Sequence, residues 1–194
     1  AVGIKIRDSS LKIDLTIIKN ENLTEVGQCA FPSCTSLTCI RLDEGIGFSG
    51  NSIFYNCTSL EKVDYLGTFA QWCENNFSNP TANPLYYAKH LYIKGEEIKG
   101  DVVIPSDAEA VGQYVFANAE EFTSVTIDGN VKTVAPDAFY NCSSLKTLVI
   151  KDGVLKVSSE CLYGCSSLTS LTLPYIGESL TATIGSLGAF FGKE

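Results

Sequence analysis

The chain has 194 residues, 45% of them hydrophobic and 19% charged, a globular mix that excludes disorder as its main state. With 22 acidic residues against 14 basic, a net charge of −8 and one histidine, it is unsuited to nucleic acid, and most zinc, haem and histidine-triad chemistry is excluded. No apolar run approaches the roughly 18 residues of a spanning helix, and the absence of methionine, even at position 1, reads as a processed or excised piece.

In chain order, residues 2–7 and 11–18 are divided by Asp8-Ser9-Ser10 and read as a hairpin, within an N-terminal cap over 1–22. Leu15 and Ile17 open a series of seven short strands, continued near residues 40, 63, 102, 125, 148 and 171. Their apolar positions alternate with others, as Leu148 and Ile150 do with Thr147, Val149 and Lys151, the pattern of a half-buried strand. Reverse turns follow, such as Asp128-Gly129-Asn130 and Lys151-Asp152-Gly153. Val131 and Val134 then head inward, and a short helical turn opened by Pro136 brings Ala138 and Phe139 to the core. Residues 66–100 are an aromatic insertion holding Phe69, Trp72, Phe77, Tyr86, Tyr87 and Tyr92, with breaks at Asn79-Pro80 and Asn83-Pro84. Short helices near 68–74 and 84–88 are predicted there, then a hairpin through Lys94-Gly95-Glu96-Glu97. After Pro174 the phase is lost, and residues 175–194 read as a truncated further unit.

The strands share a repeat. Cys34, Cys57, Ala119, Cys142 and Cys165 mark its centre. Three residues earlier stand Phe31, Phe54, Phe116, Phe139 and Leu162; three later stand Leu37, Leu60, Phe122, Leu145 and Leu168. The strand residues follow, and the pattern F-x-x-C-x-x-L-x-x-[ILV]-x-[ILVY] has a period of 23 residues. Its tail, L-x-x-L-x-L, is a leucine-rich-repeat signature. One unit cannot bury its inner row alone, so neighbours stack about 4.8 Å apart as strands of a parallel sheet. The spacing between Val63 and Val102 is 39 residues, sixteen beyond the period, so the insertion is expected to bulge between the third and fourth strands of one sheet.

The stretch Val134-Ala135-Pro136-Asp137-Ala138-Phe139-Tyr140-Asn141-Cys142-Ser143-Ser144-Leu145 resembles the core of BspA-like, or Treponema-type, leucine-rich repeats. Gly67-Thr68-Phe69-Ala70-Gln71-Trp72-Cys73, Asn83-Pro84-Leu85 and Leu91-Tyr92-Ile93 are similar to an insertion of that family, and Leu173-Pro174-Tyr175-Ile176-Gly177-Glu178-Ser179 to another of its segments. The resemblance covers about residues 23–179. It implies an α/β solenoid, a right-handed leucine-rich-repeat superhelix spanning 1–194 as one domain. It also implies a secreted or surface-anchored binding or adhesion module; a monomer is expected. It carries over no catalytic residue, since the motif is structural.

The remaining motifs have plain readings. Gly45-Ile46-Gly47-Phe48-Ser49-Gly50 matches G-x-G-x-x-G, but the following segment, with Asn51, Ser52, Asn56 and Thr58, is poor helix material, so it reads as a repeat turn. Four of the eight cysteines share one repeat position, where a small buried hydrophobe fits; a zinc set is not expected, while a bridge between stacked Cys34 and Cys57 stays open. Asn22, Asn56, Asn76 and Asn141 head N-x-[ST] triplets, which here read as turn residues bonding their own backbone. Glu96-Glu97 and Glu120-Glu121 read as solvated turns.

No catalytic, cofactor or metal residue is assigned. The expected partner is a protein or glycan, met on the outward strand rows. One row is Thr16, Arg41, Asp64, Val103, Thr126, Val149 and Thr172; the next is Asp14, Cys39, Lys62, Asp101, Ser124, Thr147 and Ser170. From these and the insertion, Arg41, Asp64, Phe69, Trp72, Thr126, Thr147 and Thr172 are the candidate contact residues. The competing reading is a spacer or accessory domain in a larger secreted enzyme or multidomain protein.

Overall fold

A computed structural model describes residues 12–19, 21–175 and 187–192. Each regular coil of the chain contributes a ladder strand, a bend, a short second strand and a turn that leads back. In chain order the strands are β1 (Ile13–Ile17), β2 (Glu25–Val26), β3 (Leu37–Leu42), β4 (Gly47–Phe48) and β5 (Lys62–Tyr65). Helices α1 (Phe69–Cys73) and α2 (Leu85–Ala88) follow, with a 3-10 turn at Pro80–Ala82 between them. Then come β6 (Leu91–Ile93), β7 (Glu96–Ile98), β8 (Gly100–Ile104), β9 (Ala110–Val111) and β10 (Phe122–Ile127). The series closes with β11 (Thr133–Val134), β12 (Thr147–Ile150), β13 (Lys156–Val157), β14 (Ser170–Thr172) and a 3-10 turn at Leu187–Phe191.

All seven expected ladder strands are present, and their register follows the repeat. Leu15 pairs with Ile40 and Ile40 with Val63; Val102 pairs with Val125, Val125 with Leu148 and Leu148 with Leu171. This register stacks the inward side chains in columns, and Ile40, Leu42, Val63, Val125, Ile127 and Leu148 have no exposed surface. The short strands form their own parallel ladders, β2-β4 and β9-β11-β13. One apolar cluster runs from Ile17 to Phe190 and includes the aromatic residues of the insertion. The expected N-terminal hairpin lies largely outside the described residues; its second strand is β1, the first rung.

The single continuous sheet is corrected. The ladder divides into β1-β3-β5-β6-β7 and β8-β10-β12-β14. The insertion causes the division. It is not a bulge but a complete coil of 28 residues (63 to 91), because β6 pairs in parallel with β5, Val63 opposite Leu91. A hairpin then adds β7 antiparallel to β6. Its loop, Lys94-Gly95, has φ of 51° and 86°, as a two-residue turn of type I′ requires. With β7 on the outer edge of β6, the next coil starts a new sheet at β8 through Gly100, whose φ is +71°.

The core remains continuous across this seam because the insertion fills the other faces. The α1 helix, opened by a capping box between Thr68 and Gln71, stands between the β2-β4 and β9 ladders; Cys73 accepts from the Gly112 N–H at 2.8 Å. Asn83, fully buried, donates from Nδ2 to the Tyr114 and Val115 carbonyls and accepts the Leu85 N–H. Thus an Asn-Pro break becomes a bridge from α2 to the next coil.

Outside the insertion, where the 3-10 turn Pro80–Ala82 and α2 occupy it, and the final 3-10 turn at Leu187–Phe191, the third face is not helical, which corrects the expected helical turn. It is a stack of turns with two left-handed residues four apart in each unit: Cys29 and Ser33, Ser52 and Asn56, Tyr114 and Asn118, Asp137 and Asn141, Glu160 and Gly164. Successive turns bond to each other through the backbone, as Phe31 N–H to Ile53 O at 2.9 Å and Phe116 N–H to Ala138 O at 3.0 Å. Residues 187–192 take the same place beyond the last full unit, where Leu162 N–H reaches Phe190 O at 2.8 Å.

Candidate functional site

The two sheets present different outward faces. On the second, strand register places Val103, Thr126, Val149 and Thr172 in one row and Asp101, Ser124, Thr147 and Ser170 in the next. Apart from Asp101, these side chains are hydroxyl-bearing or apolar, and Val103 is 61% exposed. Thr126 and Thr147 are half-buried by their neighbours, whereas Thr172 is open to solvent. The three candidate threonines therefore share one face.

The first sheet is charged and largely self-satisfied. Arg41 and Asp64 stand in register, with Tyr92 next in the row. Asp64, however, is 5% exposed: Oδ1 accepts the Gly95 N–H at 2.9 Å, while Oδ2 lies 3.5 Å from Arg41 Nε and 4.0 Å from Lys62 Nζ. Its carboxylate clamps the hairpin. Cys39, beside them, is buried, and burial together with Asp14 pushes its thiol up from the ordinary range.

Of the insertion's rings, Trp72 and Phe77 are buried, whereas Tyr86, Tyr87 and Tyr92 are half-buried. Trp72 has no exposed surface and sits edge-on to Tyr65 at 5.5 Å and tilted against Phe77 at 6.0 Å. Phe69 is half-buried and leans on Phe116 at 6.1 Å. Trp72 is thus a core residue of the added coil, while Phe69 packs against that core with part of its ring open to solvent.

At the seam the structure gathers residues that their sequence positions kept apart. His90 Nδ1 lies 3.0 Å from Glu97 Oε1 and 3.7 Å from Glu121 Oε1. Lys99 bonds the other oxygen of Glu97, and Lys62 lies 4.0 Å from the centre of the Tyr92 ring. The Lys99 ammonium, aided by His90, holds the Glu97 carboxyl below its usual range. Glu97 and Glu121, read from sequence as solvated turns, are therefore components of a cluster with His90. Their separations of 7 and 24 residues match no motif, and only the hairpin brings them together.

All eight cysteines are free. The repeat thiols are hydrogen-bonded across units: Cys57 to Phe31 O at 3.0 Å, Cys142 to Phe116 O at 3.1 Å and Cys165 to Phe139 O at 3.2 Å. Burial pushes the thiols of Cys57 and Cys165 up to about 12.

Among solved structures, the chain is similar to a leucine-rich repeat protein of T. pallidum, with 18% identity and a TM-score of 0.43 over 81% of this chain and 78% of that one. A leucine-rich cell surface protein of Faecalibacterium prausnitzii shares 17% identity, TM-score 0.48, over 83% and 47%. For a leucine-rich repeat protein of Bacteroides ovatus the values are 23%, 0.39, 84% and 49%. The chain spans about half the length of the last two. No curated protein matches it. The profile of the BspA-type leucine-rich repeat region matches in six copies over residues 9–90 and 97–188, and with most of its length covered the chain belongs to that family.

Proposed function

We propose that the chain is a non-enzymatic binding or adhesion module, secreted or held at the cell surface, that meets a protein or a glycan on the outward face of β8, β10, β12 and β14. The observation that carries this is the composition of that face. Its central rows hold Thr126, Val149, Ser124 and Thr147, so a partner settles there without desolvating an unpaired charge. The extracellular location rests on membership of the BspA-type family, and repeat solenoids commonly bind through an extended sheet face.

The test is a pair of arrays, one of printed glycans and one of extracellular proteins, probed with the wild-type chain and with a Thr126→Arg/Thr147→Arg double variant. The wild type should give a reproducible ligand, and the folded double variant should lose it with the thermal midpoint nearly unchanged. Equal binding by both would move the site off this face. Failure of the wild type to bind any member of either array would favour a spacer role in a longer protein.

A further inference from the structure

We propose that His90, Glu97 and Glu121 form a site for one divalent transition-metal ion of the zinc, cobalt or nickel class, placed over the seam between the two sheets. The inference stands apart from the binding face proposed above.

Three observations carry it. One ligand atom from each residue lies within 4.8 Å of the other two. Metal–nitrogen and metal–oxygen bonds of about 2.0–2.2 Å in a tetrahedral shell put neighbouring ligand atoms about 3.3–3.5 Å apart. The His90 separations of 3.0 and 3.7 Å bracket that value, so small side-chain rotations would complete the shell. Second, the backbone fixes all three residues. The His90 carbonyl accepts the Val63 N–H at 3.2 Å, Glu97 pairs with Tyr92 across the hairpin, and the Glu121 carbonyl accepts the Gly100 N–H at 2.8 Å. Third, the donor set has chemical character. An imidazole with two carboxylates suits zinc and its neighbours, whereas calcium and magnesium prefer all-oxygen shells.

The side chains of His90 and Glu121 are 41% and 39% exposed, leaving the site open to an ion from solvent and to a water in the fourth position. Lys99 is the local competitor. It occupies the outer oxygen of Glu97 and leaves Oε1 turned toward His90. Its side chain is 59% exposed on a flexible stem, so it can withdraw. A bound ion would tie the hairpin, the first sheet and the second sheet together at the point where the ladder is broken.

The experiment is titration of the metal-free, reduced chain with cobalt and zinc chlorides. One equivalent of cobalt should bind without a sulfur-to-cobalt charge-transfer band, and zinc should raise the thermal midpoint. His90→Gln and Glu121→Gln should each weaken binding by at least about tenfold, and His90→Gln should abolish the zinc-induced rise in midpoint. Lys99→Ala should tighten binding, because it removes the competing cation. Should the ligand variants not fold, the ring signals of His90, the sole histidine, decide on the wild type: they should shift as zinc is added. Unmoved ring signals, undiminished binding by folded His90→Gln, no saturable uptake at millimolar metal, or a thiolate band lost in Cys29→Ser would each overturn the site.

Discussion

The thiol of Cys142 donates to the carbonyl of Phe116 in the unit before, and Cys57 and Cys165 repeat the arrangement. Cysteine at this position is thus more than a small hydrophobe, since it also satisfies a buried backbone acceptor. Ala119 fills the same position without that bond. Because burial raises these thiols, they stay protonated and unreactive near neutral pH. Titration with a disulfide reagent should therefore detect one fast thiol in the native chain, the exposed Cys29, and all eight after unfolding in denaturant. Phe139 is the second residue of consequence. It has no exposed surface, stacks on Phe116 at 5.4 Å, and lends its carbonyl to Cys165. Phe139→Ala should cost about 3–5 kcal/mol in denaturant titration, the range for a buried aromatic whose cavity cannot collapse; a loss below about 1 kcal/mol would contradict its place in the core. Asn56 and Asn141 show why N-x-[ST] recurs: both have positive φ, where asparagine is tolerated better than most side chains.

At the scale of elements, the hairpin of β6 and β7 decides how the ladder divides. Its attachment depends on Asp64, which receives the Gly95 N–H and faces Arg41 and Lys62. Asp64→Ala leaves that amide and two cations without their acceptor, at a cost of about 1–3 kcal/mol for a buried group so stripped. The expected result is faster hydrogen exchange at the Gly95 amide and a lower thermal midpoint. Asp64→Asn, which keeps an acceptor oxygen for Gly95, should restore much of the protection. Exchange at Gly95 that is indifferent to both substitutions would show that the loop is held by its own turn geometry. Among the described residues the β8 to β14 sheet shows no buried carboxylate of this kind, and its side-chain columns keep Val125, Ile127 and Leu148 fully buried.

For the whole molecule, the two sheets share one core. Trp72, the sole tryptophan, lies without exposed surface in the coil that joins them. Unfolding followed by Trp72 fluorescence should therefore coincide with unfolding followed by far-ultraviolet circular dichroism, as in a single cooperative transition. Two separated transitions would mean that the seam divides the solenoid into independent blocks, which nearest-neighbour energetics permit when one interface is weak. Neither Thr126 nor Thr147 is among the seam cluster of His90, Glu97 and Glu121, so the Thr126→Arg/Thr147→Arg variant should keep its metal uptake.

The 23-residue phase by itself determined the coil, the seven ladder strands and the outward rows, because inward and outward positions alternate within a strand and recur between units. It also marked Thr126, Thr147 and Thr172 as neighbours, and strand pairing keeps them so. Where the period fails, sequence reading lost its ruler. A gap of 39 residues fits a coil with a bulge as well as a longer coil followed by a hairpin, and only the pairing of Leu91 with Val63 separates the two. That pairing carried Asp64 and Trp72 inside, and it set His90, Glu97 and Glu121 side by side. Local pattern fixes which residues share a unit and a face; contacts between a hairpin and the next coil depend on where the chain returns in space, which no local pattern encodes.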